Sequence, residues 1–126
     1  MKTAAAFIMI VNAALFIFGA VQHVGIPIGP FHEPVIIPAA IVESLCAISL
    51  LTGVTTFYRS PAKWRFPLIA NLVAMAGVLL GMVALAAGRG PRTASNDWYH
   101  RIMLVLIAGA VVFLFAGKRK PSHSQG

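Results

Sequence analysis

The sequence predicts an all-α integral membrane protein, a four-transmembrane-helix antiparallel bundle with both the N and the C terminus in the cytoplasm. Three observations carry that prediction. Hydrophobic residues fill 59% of the 126 positions and charged residues 10%, whereas soluble domains hold roughly 45–50% and about 25%. With ten Lys and Arg and three Asp and Glu, a soluble fold would lack the polar groups to cover its surface, so lipid is the main solvent. The apolar residues fall into four runs, 4–24, 34–57, 66–88 and 99–117. At about 1.5 Å per helical residue, runs of this length cross a hydrocarbon core of roughly 30 Å. Finally, the basic residues gather at the ends of the runs, as positive-inside topology requires. A nucleic-acid binder would carry them on one stripe, so the net charge of +7 excludes little by itself.

The first run follows Met1-Lys2 and competes with a secretory signal; its length reads as a true first span. It stops at a loop, Gly25 to Pro34, that is apolar, dense in Pro and Gly and free of Lys and Arg. Such a loop is either a tight proline-stiffened turn, the simpler reading, or a cap folded over the mouth of a cavity between helices one and two. The second run ends at Arg59-Ser60-Pro61 and the third at Gly88-Arg89-Gly90-Pro91, both strong punctuation. The third run carries Ala70, Ala74, Gly77, Gly81, Ala84 and Gly88 at spacings of four and three. These small residues form a seam that lets another backbone approach closely, within the chain or in a homo-oligomer. The fourth run leads into Lys118-Arg119-Lys120 and a polar tail.

Orientation follows from charge. Lys2, Arg59, Lys63, Arg65, Lys118, Arg119 and Lys120 flank one side of the spans, and only Arg89, Arg92 and Arg101 flank the other. The richer side is cytoplasmic. Trp64, Trp98, Tyr58 and Tyr99 fall at span ends, where amphipathic rings settle among headgroups. Residues 1–117 form one transmembrane domain without an internal repeat, and residues 118–126 form a basic cytoplasmic tail that touches anionic lipid. The single cysteine, Cys46, excludes a disulfide framework and a CxxC pair.

The residues that could carry chemistry are few. Glu43 lies nine residues, about 14 Å, inside the second run, near the bilayer centre. A carboxyl at that depth is costly unless it is neutral or met by donors, so it reads either as a functional group or as an interhelical hydrogen bond. Asn12 has nearly the same depth on helix one and shares a face with Gly19 and His23. A Glu43–Asn12 hydrogen bond is expected, setting Glu43 against helix one below His23. Asn71, nearer the cytoplasmic end of helix three, reads as a hydrogen-bonding tie between helices. On the outer side the topology collects His23, His32, His100, Glu33 and Asp97, with His123 left in the tail. Imidazoles and carboxylates bind zinc or copper, and opposed imidazoles ligate haem. None of the spacings is a metal signature, so the sequence assigns no cofactor.

At Phe16-Ile17-Phe18-Gly19-Ala20-Val21-Gln22-His23, followed by a Pro/Gly loop and a helix with a buried acid, the chain resembles the DoxX-like group of small four-helix bacterial membrane proteins. His23 stands where many members carry a lysine. The resemblance implies a bacterial cytoplasmic (inner) membrane and an auxiliary subunit linked to quinone or thiol redox chemistry. Three functions follow as expectations: a non-catalytic or auxiliary subunit of a membrane complex, a proton-coupled small-molecule transporter working as a dimer through Glu43, and a metal- or haem-binding protein using the outer histidines. No nucleophile triad, phosphate loop or haem-attachment motif argues for an enzyme.

Overall fold

The computed structural model describes residues 2–118. They form four helices, α1 (Lys2–His23), α2 (Ile37–Arg59), α3 (Arg65–Ala86) and α4 (Ala94–Lys118). All four are long and apolar enough to cross a membrane, the make-up of a multi-pass membrane protein. Arg119, Lys120 and His123 lie outside the described residues.

Local chemistry sets the helix ends. Gly25, at φ +91°, and Gly88, at φ +71°, take the left-handed conformation that ends α1 and α3. Pro38 sits in the first turn of α2, where a missing N–H costs nothing. Consequently α2 begins three residues later than its apolar run. The fourth helix begins five residues earlier than its run, because the Thr93 hydroxyl accepts the Asn96 N–H at 3.1 Å and caps a polar first turn.

The helices form a ring in which α1 and α3 each pack against both α2 and α4. Met9, Phe16, Leu50, Val78, Met103 and Ile107 fill its centre. The outward faces are apolar as well: Phe7 is 66% and Val105 71% exposed. Such a surface suits contact with lipid. At one end Lys118 stacks its ammonium 4.2 Å from the Trp64 ring, tying α4 to the α2–α3 turn.

The small-residue seam of α3 is filled by the chain itself. Ala70 and Ala74 are buried. A Cβ on Gly77 would stand 2.5 Å from Cys46 Sγ, and one on Gly81 would strike His100 Nε2. Of the two readings of the seam, packing within the chain is seen at Gly77 and Gly81, where Cys46 and His100 fill it, while Gly88 is exposed. A glycine outside the seam also permits a close approach of α2 to α3, since a Cβ on Gly53 would lie 2.7 Å from that of Ala70. Gly77→Ala is expected to lower stability by about 1 kcal/mol, and Cys46→Ala in the same chain should restore most of it. Thermal unfolding of the two single variants and the double variant in detergent measures this, and equal losses with and without Cys46 would refute it.

Candidate functional site

The chain's three acids, Glu33, Glu43 and Asp97, all belong to one end of the bundle, where the α1–α2 and α3–α4 connections meet. The Thr93 hydroxyl donates to the Glu33 carboxylate at 3.1 Å and joins the two connections. The 25–34 loop combines both sequence readings. Ile28 and Phe31 exchange backbone hydrogen bonds around Gly29-Pro30, a tight turn. The Phe31 ring then lies back on Phe18, edge to face at 5.8 Å. The Ile36 N–H donates to the His23 carbonyl at 3.0 Å, so α2 starts against the end of α1.

That junction fixes His23. Its Nδ1 faces the Pro34 carbonyl at 3.2 Å and must carry the proton it donates there. Nε2 is left to face Glu43 Oε2 at 4.0 Å. His100 repeats the arrangement on α4: Nδ1 donates to the Asn96 carbonyl at 2.8 Å, and Nε2 turns toward Gly81. Two buried imidazoles are thus each anchored through Nδ1 to a backbone carbonyl, with Nε2 turned inward.

Glu43 is held by a glycine. A Cβ at position 19 would lie 2.5 Å from Glu43 Oε1 and 2.7 Å from the Tyr99 hydroxyl oxygen. Only Gly19 lets both groups settle on α1. The Tyr99 hydroxyl donates to the Leu15 carbonyl at 3.0 Å and stands beside the Glu43 carboxyl against Gly19. Glu43 Oε2 is buried and has no hydrogen-bond partner.

The expected Glu43–Asn12 bond is therefore not made. Because α2 starts at Ile37, Glu43 lies six residues, about 9 Å, into its helix and meets α1 at Gly19, two turns beyond Asn12. Both side-chain polar atoms of Asn12 are buried without a partner. Asn71 does not tie two helices together either. Its amide donates to Pro67 O of its own helix at 2.8 Å, a carbonyl one turn back.

The five outer candidates separate. His23 and His100 line one cleft with Glu43. His32 is exposed, Asp97 is paired with Arg92 at 2.9 Å, and Glu33 is held by Thr93. Among the described residues no three His, Cys, Asp or Glu side chains converge as a metal site. Three site residues escaped the sequence reading: Tyr99, assigned to the headgroup belt, Asn96 and Gln22. Asn96, Tyr99 and His100 have the i, i+3, i+4 spacing of one helical face, a signal that was present.

The cleft shared by His23, Glu43, His100 and Asn96 lies between α2, α3 and α4 and measures about 360 Å³. That is within the range of small-molecule sites. Its remaining wall is mostly apolar, from Val42, Leu80 and Leu85, with Arg89 contributed by the α3–α4 connection. It suits an apolar molecule with a polar, hydrogen-bonding head. Comparison with family models, with curated proteins and with solved structures finds no match to this chain.

Proposed function

We propose that this chain is an antiparallel four-helix protein of a bacterial cytoplasmic membrane, with both termini cytoplasmic, serving as a non-catalytic auxiliary subunit of a redox-linked complex. In this reading the cleft at Glu43 holds a quinone-class ligand. The observation that carries it is a single cleft lined by two imidazoles, His23 and His100, each anchored through Nδ1 to a backbone carbonyl, and by the Glu43 side chain. A quinol hydroxyl donates to an imidazole nitrogen, a quinone carbonyl accepts from the Glu43 acid, and the apolar wall takes the ring. The two basic clusters at the termini and around Lys63 support the orientation. The layout around Phe16 to His23 supports the kinship with DoxX-like proteins.

The test is purification in a gentle detergent, with mass spectrometry of every protein and lipid-soluble molecule that accompanies the chain. Near-stoichiometric quinone and a companion subunit are expected. Glu43→Gln should cut quinone occupancy about tenfold, the loss of one hydrogen bond to a charged or acidic group. Wild-type protein free of both quinone and companions would end this reading.

A second reading is favoured by the unpartnered carboxyl oxygen of Glu43: a proton-coupled transporter in which Glu43 carries the proton. A dimer of that kind would meet through the lipid-facing helix surfaces, because most of the α3 seam is filled. Proton release on adding lipophilic cations, abolished by Glu43→Gln, would favour it over the first.

A further inference from the structure

A second cleft, about 380 Å³, lies on the other side of His23, between α1, α4 and the 25–34 loop. Its chemistry differs from that of the first. Four aromatic side chains line it, Phe18, Phe31, Trp98 and Tyr99, together with Gln22 and Glu33. Gln22 is 4% exposed, and its Oε1 is buried with no hydrogen-bond partner. The Glu33 carboxylate accepts one hydroxyl from Thr93 and pairs with no Lys or Arg among the described residues. No lysine or arginine lines the cleft.

Aromatic faces carry partial negative charge and attract cations within about 6 Å. A free amide oxygen and an unneutralised carboxylate attract them too, while apolar rings accept what surrounds the charge. Anions find no positively charged Lys or Arg in the lining and would face the Glu33 carboxylate. A neutral apolar molecule would leave the Gln22 oxygen and the Glu33 charge without partners, at a cost. One nearby cation already follows this rule: the Arg101 guanidinium lies 5.6 Å from the Trp98 ring centroid.

We propose that this second cleft is a binding site for an organic cation, an alkylated ammonium on an apolar body. Phe18, Phe31, Trp98 and Tyr99 form the aromatic wall, and Glu33 and Gln22 provide the negative pole. The site is separate from the cleft at Glu43, and its test requires no quinone. The ammonium belongs either to a lipid headgroup or to a free amphiphile.

The experiment uses the full chain in phosphatidylglycerol nanodiscs, with Trp64→Phe leaving Trp98 as the sole tryptophan. Its fluorescence is titrated with benzyltrimethylammonium and with neopentylbenzene, the neutral molecule of the same shape. The cation should bind at least tenfold more tightly. Glu33→Gln should weaken it about tenfold. Phe31→Leu, which keeps apolar volume and removes the π face, should weaken it about threefold or more. Arg101→Gln, which removes a competing charge, should tighten it. Unchanged thermal unfolding of each variant separates these effects from misfolding.

Repeating the titration in phosphatidylcholine nanodiscs assigns the source: weaker apparent binding there marks a lipid headgroup as the occupant, and equal binding marks a free cation. Equal affinity for the cation and its neutral counterpart would overturn the proposal. So would wild-type affinity in both Glu33→Gln and Phe31→Leu.

Discussion

Gly19→Ala is expected to lower stability by about 2–3 kcal/mol and to empty the cleft at Glu43, although it adds only one methyl group. The new Cβ would meet Glu43 Oε1 at 2.5 Å, the Tyr99 hydroxyl oxygen at 2.7 Å and Glu43 Cδ at 2.8 Å. Neither group has an easy escape. Tyr99 is anchored to Leu15 O, and Glu43 is buried between α1 and α2. Moving the carboxyl outward pushes it into an apolar surround, where an unpartnered polar group is costly. Unfolding of Gly19→Ala in the wild-type and in a Glu43→Ala background measures the coupling. At least half of the loss should disappear when the carboxyl is absent. Full additivity would show that Gly19 matters for another reason.

Gly53→Ala should cost about as much for a different reason. Its Cβ would stand 2.7 Å from Ala70 Cβ and 3.3 Å from Pro67 Cα, which is backbone. A side-chain rotation relieves the clash at Gly19 in part, but nothing rotates here: α2 and α3 must move apart along their whole contact. A loss of about 2–3 kcal/mol is expected. Ala70→Gly should recover only part of it, since the Pro67 contact remains. Thermal unfolding in detergent checks this, and stability at the wild-type level would mean that the two helices do not cross as closely as described. A useful contrast is Gly109, whose Cβ would meet nothing within 4 Å. Gly109→Ala should be neutral or slightly stabilising, as alanine is the better helix former.

Much of the fold was legible because the membrane makes the code simple. A helix in lipid must satisfy its own backbone, so length and hydropathy suffice to count spans. Boundaries were less legible where polar residues belong to helices. Ala94 to Trp98 form the first turn of α4 because Thr93 caps it, and a hydropathy run cannot register that. The site was half legible. Glu43, His23 and His100 stood out as polar groups among apolar ones, yet their grouping was misjudged. Starting α2 at Ile37 rather than at 34 sets Glu43 about 4.5 Å shallower in its helix, which accounts for part of the two-turn step from Asn12 to Gly19; the level at which α1 and α2 pack accounts for the rest.

The sequence by itself determined the apolar character of the surface, the number of helices and the placing of Glu33 and Asp97 at one end, because these depend on composition and on order along the chain. Tertiary structure alone decided which polar groups meet. The rotation and level of each helix depend on where glycines permit close approach: Gly19 admits Glu43, Gly81 admits His100, and Gly53 brings α2 onto α3. Those contacts turn one polar face into two clefts on either side of His23, because packing in lipid is governed by shape at atomic range and not by the hydrophobic pattern of any single helix.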